Sequence, residues 1–450
     1  MSVSFRMPRE EWLFGLLMAS VHGGQHMFLR LFPPLIPILA VDLDASLWQL
    51  GLLVSVYMFA GGLFQAPMGV LSDRMDRQYL LVPAFVAMGL GYLVFVFAPV
   101  AGSALPAVSL VGHSFDGSFQ VMAIGMFVAG FGYSAIHPVG YPLISANVSP
   151  EHKGKVLGMW GSASKVGDSI APLLVGVLIL VLAWEWVLVG VSLFGFAFAA
   201  LLFLVFRSDR FETRPPETTG NETVDEGSVL RDHPRRFLVP MAAIMLFFFF
   251  VLFTGNGIQT YTPAFVADVY GYSISIAGVD VGAESVANFY FAALLISGAV
   301  SQLVVGGLTD TYDHRAVLMA LLGVSGVGLL VLSVLTLTPV TLLFVFVLVG
   351  ASAFGINPAR DALISDITPA EYEGRTFGYV WTIALVGSSG YPVLIGYLAD
   401  TMGLQASFGV LAGGVLFGMV CIGLLYSPRI YRQEPTSTGD RPKRAETTDN

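Results

Sequence analysis

GFGYSAIHPVGYPLIS, running from Gly130 to Ser145, lies over GASAFGINPARDALIS, running from Gly350 to Ser365, so that His137 pairs with Asn357 and Pro138 with Pro358. The register continues without a gap through Glu151 with Glu371, Gly154 with Gly374, Lys155 with Arg375, Gly158 with Gly378, Gly167 with Gly387, Pro172 with Pro392 and Gly176 with Gly396. So many shared glycine, proline and charged positions mark an internal duplication. Upstream, GVLSDRMDRQ from Gly69 matches GGLTDTYDHR from Gly306, and the change of register between the two matches falls in the loop around His113 and Asp116.

Both copies lie in long apolar sequence. Of the 450 residues 55% are hydrophobic and 12% charged, where a soluble domain has about a quarter charged. A bilayer-spanning helix needs roughly 20 apolar residues, so the composition supplies about twelve spans and no large soluble domain. Apolar segments begin near Trp12, Trp48, Tyr79, Gln120, Lys155 and Trp186, then near Phe237, Glu284, Ala316, Val340, Arg375 and Leu404. The expected fold is an all-α membrane protein with twelve transmembrane helices in two pseudo-symmetric six-helix halves, residues 1–206 and 237–427. Arg207 to Arg236, with Pro215, Pro216 and a TTGNET run, reads as a disordered cytoplasmic linker, and residues 428–450 as a disordered cytoplasmic tail. Repeats of this kind are the signature of secondary transporters, whose site lies near the midplane between the halves.

The net charge of −9 says less than its placement. Apart from Arg30, Lys165 and Arg360, every Lys and Arg falls in the N-terminus, the turns after spans 2, 4, 8 and 10, the linker or the tail. The opposite turns and their edges carry Asp42, Asp44, Asp116, Glu185, Asp268, Asp280 and Asp400. The positive-inside rule then predicts a multi-pass protein of the cytoplasmic membrane with both termini in the cytoplasm. MSVSFRMPREEW leads into the first span without a small-residue cleavage site, so no removable signal peptide is expected. The lone Cys421 excludes intramolecular disulfides and Cys-based metal centres.

At these residues the sequence resembles the major facilitator superfamily from Trp12 to about Tyr426. The family's loop motif after span 2 is matched by Gly69, Asp73, Arg74 and Arg77, with Asp76 and Gln78 departing from it, and a second copy keeps Gly306, Asp310 and Arg315. Span 5 carries Gly158, Gly167, Ala171, Pro172 and Gly176 at the spacing of the proton-coupled exporters' motif. Within the superfamily the chain most resembles the fosmidomycin-resistance exporters, through His22 ahead of Pro33 and the string Gly130, Gly132, Ser134, His137, Pro138. Val139 stands where that group has a glutamate, and Met126 where drug–proton antiporters often have an arginine. The resemblance implies that Asp73 and Asp310 approach helix N-termini of the opposite half, near Arg375 and Lys155, with Arg74, Arg77 and Arg315 beside them. Together these would gate the cytoplasmic side. Simple positive-inside anchoring is the competing reading of Arg74 and Arg77.

Charges inside a bilayer are costly and usually face a cavity. Lys165 and Asp168, three apart on one helix face, suit a neutralising pair. Arg360 and Asp361 point about 100° apart around a helix, so they should not satisfy one another alone. His22, His26 and Arg30 are spaced by four along one stripe, with Gln25 beside it. An H-x-x-x-H pair can hold a metal, but the glutamate of H-E-x-x-H is missing, so no metal is expected. His137–Pro138 and Asn357–Pro358 mark broken helices, where transporters build sites. The expected substrate-binding set is His22, Gln25, His26, Arg30, His137, Lys165, Asn256, Asn357 and Arg360, with Asp168 and Asp361 as proton-coupling groups. Three deep basic residues against two acidic ones favour an anionic or zwitterionic small molecule. No Walker loop is present. The expectation is therefore a cofactor-free, monomeric secondary transporter, driven by the proton gradient and working by alternating access as an exporter. Import of a small organic anion is the alternative, and a receptor or intramembrane enzyme a remote one; a nucleic-acid partner is not expected.

Overall fold

Backbone polar groups in a bilayer must be satisfied within their own segment, which makes each apolar run a helix. The computed structural model describes residues 7–110, 112–208, 210–215, 234–276, 278–368, 380, 383–428 and 430–431. Span 1 is α1 (Arg9–Arg30), which passes through the Pro33–Leu35 turn into α2 (Ile36–Asp42). Span 2 is α3 (Leu47–Leu63) with α4 (Gln65–Ser72), and span 3 is α5 (Gln78–Val96) with the short α6 (Ala98–Gly102). Span 4 is α7 (Gly117–Ser134) with α8 (Ile136–Asn147), span 5 α9 (Pro150–Leu178), and span 6 α10 (Trp184–Phe206). The second half holds α11 (Pro234–Phe265), α12 (Ala283–Thr309), α13 (His314–Val334), and α14 (Pro339–Gly355) with α15 (Asn357–Ile367). It closes with the Ile383–Met402 span, which ends in α16 (Tyr391–Met402), and α17 (Leu404–Leu424).

Ten of these spans are long and apolar enough to cross a bilayer by hydropathy alone. The two that complete the twelve, α1 and α9, fall short because each carries several polar residues, His22, Gln25, His26 and Arg30 on one and Lys165 and Asp168 on the other, and they are the helices that build most of the site below. Two short hairpins add to the expected helices. Val108–Leu110 pairs antiparallel with His113–Phe115, and Ile274–Ile276 with Val279–Val281. Their turns hold Gly112 and Gly278 at φ of 80° and 82°, which only glycine adopts without strain.

Spans 4 and 10 break where the sequence expects, at Ala135 and Ile356, each followed by a proline at the second or third position of the next helix. The break frees carbonyls of the preceding turn, and both halves solve this alike: Gln25 Nε2 donates to Tyr133 O at 3.0 Å and Gln302 Nε2 to Phe354 O at 2.8 Å.

The reading of Arg207–Arg236 as disordered needs correction at its start. Residues 210–215 lie against the first half: Asn147 bonds the backbone of Glu212 through both amide atoms, at 2.7 and 2.8 Å, and Arg77 N donates to Thr213 O at 3.0 Å. The remainder of the linker to residue 233, and the tail beyond 431, lie outside the described residues.

The halves meet on the face that carries the aspartates. Asp400 accepts from Leu47 N at 3.0 Å and Trp48 N at 2.8 Å, Tyr261 Oη donates to Pro392 O at 2.6 Å and Leu47 O at 3.2 Å, and Asn288 Nδ2 donates to Pro34 O at 3.3 Å. Gly51 and Gly396 permit this approach, since a Cβ on either would strike the Tyr261 hydroxyl. Toward the arginine-rich face, Gly154, Gly158 and Gly161 of α9 look onto open space. The contacts that join the halves among the described residues lie at the aspartate face.

Candidate functional site

On α9 the buried residues Val156, Trp160, Ser164, Asp168, Ala171 and Val175 recur at helical spacing, so one stripe carries both an indole and a carboxylate. That stripe faces α1. A Cβ on Gly167 would strike the carbonyl oxygen of Gly23, and one on Gly23 would come within 3.0 Å of Ala163 O. Small residues at the crossing let the two backbones touch, as membrane helices require for close packing. Polar side chains one turn away from the crossing then meet.

Asp168 lies at the centre. Its Oδ1 accepts from Arg30 Nε at 3.0 Å and lies 3.0 Å from His26 Nδ1, while Lys165 Nζ stands 3.8 Å from Oδ2. Sequence spacing pairs Lys165 with Asp168; the structure makes Arg30, from another helix, the nearer partner. Lys165 is one-third exposed and Asp168 buried, so the lysine sits at the rim and the carboxylate at the floor. Above it, His22 stacks on Trp160 with ring centroids 4.2 Å apart, its Nδ1 2.8 Å from Trp160 O and its Nε2 3.1 Å from His137 Nε2. His137 Nδ1 is 3.4 Å from Gln25 Nε2. Seven of the expected residues thus form one group: His22, Gln25, His26, Arg30, His137, Lys165 and Asp168.

A second group lies in the other half. Arg360 is buried, with its guanidinium 4.7 Å over the Phe248 ring. It also bonds Asp361 Oδ1 through Nε at 2.8 Å while keeping its contact with Phe248. Asn256 Nδ2 donates to Ser388 O at 3.4 Å, and Asn357 stands half-buried at the start of α15.

The residues of the expected gate are placed as follows. Asp73 and Asp310 are exposed at the ends of α4 and α12, and Arg74 is exposed beside Asp73. Arg77 is buried against the linker's first residues. Arg315 turns within its own half, to Asp313 at 2.6 Å, Leu425 O at 2.9 Å and the Tyr426 ring at 4.5 Å. Hydrogen bonds from Arg315 hold the Asp313 carboxyl below the usual carboxylate range. Arg375 lies outside the described residues. A carboxylate does cap a helix N-terminus of the opposite half, but it is Asp400 on α3, at the aspartate face.

Three residues that make these contacts lie outside the expected set: Trp160, Tyr133 and Asp400. Trp160 was detectable, since it lies two helical turns before Asp168 on the same stripe. The Tyr133 carbonyl and the cross-half role of Asp400 have no local signal.

A multi-pass helical protein of two duplicated halves joined around buried charges is by class a secondary transporter and not an enzyme. The chain belongs to the Major Facilitator Superfamily, whose family model matches residues 18–287 and 278–449. It is similar to the "Probable L-galactonate transporter" of Escherichia coli K12, at 24% identity over 80% of this chain and 77% of that one. It is also similar to the hexuronate transporter of Bacillus subtilis, at 23% over 84% and 86%, and to the multidrug resistance protein MdtL of Salmonella typhi, at 23% over 81% and 86%. In fold it matches a bacterial homologue of the human lysosomal transporter Spinster in an inward-facing, occupied conformation, with TM-score 0.71 and 16% identity over 96% of this chain and 100% of that one. The inward-open xylose transporter XylE of E. coli gives 0.68 and 14% over 95% and 97%.

Proposed function

We propose that this protein moves a small organic anion or zwitterion together with a proton. The observation that carries this reading is the sharing of one buried carboxylate, Asp168, by Arg30, His26 and Lys165 at 3.0, 3.0 and 3.8 Å. With Asp168 ionised, Arg30 and Lys165 leave one net positive charge; with Asp168 protonated they leave two. A substrate carboxylate competes with Asp168 for these cations, so it binds best when a proton neutralises Asp168. Proton and anion then occupy the site together and cross together, which is cotransport, and an inward proton gradient makes it uptake. The hexuronate and L-galactonate relatives support the anion class.

Residues 1–206 and 237–427 act as the rocking bodies. Arg360 offers a second cationic anchor from the opposing half, with Asn256 and Asn357 as polar contacts and Asp361 as an alternative proton carrier. On this reading the arginine-rich face and both termini are cytoplasmic, which the positive-inside pattern supports, and the protein works as a monomer. Export is the second reading. It is supported by the span-5 spacing of Gly158, Gly167, Ala171, Pro172 and Gly176, by the likeness to MdtL, and by the His22, Pro33 and His137–Pro138 resemblance to fosmidomycin-resistance exporters.

The test is flux in proteoliposomes with a hexuronate and a trapped pH dye. Cotransport acidifies the lumen as the anion enters, whereas export by exchange draws protons against the anion's movement. Transport of cationic drugs with no effect of carboxylates would end the anion reading.

A further inference from the structure

The three histidines of the first half do more than line a cavity. His22 and His26 come from α1 and His137 from α8, and one ring nitrogen from each can be chosen so that all three lie within 4.8 Å of one another. Zinc–nitrogen bonds of ~2.0–2.1 Å in a tetrahedral site hold ligand nitrogens roughly 3.4 Å apart. The His22 Nε2 to His137 Nε2 separation of 3.1 Å is already close to that. The third ligand needs to close by up to roughly 1.4 Å, through rotation of its side chain.

The opposite ring nitrogens strengthen the case. A metal-ligating histidine almost always donates its other N–H to a carboxylate, a backbone carbonyl or water, which fixes tautomer and orientation. His22 Nδ1 faces the Trp160 carbonyl at 2.8 Å and His26 Nδ1 faces the Asp168 carboxylate at 3.0 Å. Both partners are acceptors, so both hydrogens sit on Nδ1 and both Nε2 lone pairs are free for a metal. His137 Nδ1 lies beside the Gln25 amide at 3.4 Å, and Gln25 Oε1 is a buried acceptor with no donor among the described residues. Moving the His137 hydrogen from Nε2 to Nδ1 and turning that amide over supplies the donor, at the expense of the bond to Tyr133 O. No net proton is lost.

We propose that His22, His26 and His137 form a binding site for a divalent first-row transition metal of the zinc class, with Trp160 O, Asp168 and Gln25 orienting the ligands. Spacing on α1 offered two of the ligands, but the third arrives from a different span, so no metal was expected from the sequence. Nearby Arg30 and Lys165 oppose the ion's charge and Asp168 offsets only one of them, so water or an anion completes the coordination and binding is weaker than at a three-histidine site without such cations. The site rests on the ligand geometry and does not depend on the transport reading.

The test uses the full chain, purified through a histidine-free tag, stripped with chelator and titrated with Co2+ and Zn2+. Expected are the visible ligand-field absorption of a tetrahedral nitrogen site with one Co2+ per chain, and a rise in melting temperature with Zn2+. His137→Gln and His26→Gln should each weaken binding at least ~10-fold, and Asp168→Asn ~10- to 100-fold. His113→Gln, on the exposed hairpin, should change nothing. Failure of the wild-type chain to give either signal at millimolar metal would overturn the proposal, as would unchanged binding in both His137→Gln and His26→Gln. A chain that carries anions but takes no cobalt sinks this inference alone; one that binds cobalt and carries no anion sinks only the function proposed above.

Discussion

Arg30 Nε donates to Asp168 Oδ1 across the α1–α9 contact at 3.0 Å, nearer than the lysine on Asp168's own helix at 3.8 Å. The ion pair joins two spans that hydropathy alone would not place in a bilayer. Asp168→Asn keeps the shape and removes the charge. Gradient-driven accumulation should be abolished, while substrate exchange at equal concentrations on both sides continues, because the cations that bind the anion are then permanently free. Wild-type accumulation that a protonophore still collapses would exclude Asp168 and shift attention to Asp361.

Removing one partner of a buried ion pair leaves an uncompensated charge. Arg30→Met should destabilise by roughly 3 kcal/mol, the lower end for such a break, since Lys165 and His26 still face the carboxylate. Lys165→Met should cost ~1 kcal/mol or less, because that side chain is one-third exposed and screened. Arg30→Met combined with Asp168→Asn should recover most of the loss while gradient-driven accumulation stays abolished. Melting curves of the four proteins in detergent decide this; equal penalties at Arg30 and Lys165 would contradict the assigned geometry.

Asp400 caps the first-turn N–H groups of α3 only while the halves are closed at the aspartate face. A carboxylate at a helix N-terminus contributes ~0.3–1 kcal/mol. Asp400→Asn should therefore shift the population toward the state open at that face by roughly 2- to 5-fold. Asp73→Asn should shift it the other way while leaving substrate affinity nearly intact, if its gate forms when the arginine face closes. Cys421 is the only cysteine, so Cys421→Ser gives a background for paired spin labels, and distance distributions across each face read both shifts.

Gly167 and Gly158 belong to one motif but meet different surroundings. Gly167→Val should prevent the α1–α9 approach and lose both stability and transport, since its side chain would occupy the place of the Gly23 carbonyl. Gly158→Ala, which meets open space in this state, should fold with an unchanged melting temperature. A Gly167→Val protein that melts and transports like the wild type would show that the contact is dispensable.

The sequence by itself determined the architecture. Bilayer-length apolar runs leave the backbone no alternative to helices, and duplicated Gly, Pro and charged positions carry the two-fold plan and even the breaks at Ala135 and Ile356. It also named the deep residues, because ionisable side chains such as Arg30, Lys165, Asp168 and Arg360 stand out against apolar sequence. Which of them meet was decided only by tertiary structure. Spacing ranks partners along one helix, and so favoured Lys165 for Asp168. It cannot register that Gly23 and Gly167 let two helices touch and bring Arg30 within hydrogen-bonding distance, that a break in span 4 swings His137 against His22, or that Asp400 reaches the other half's helix end. Those contacts arise from how helices cross, and helix crossing is set by packing between segments far apart in the chain.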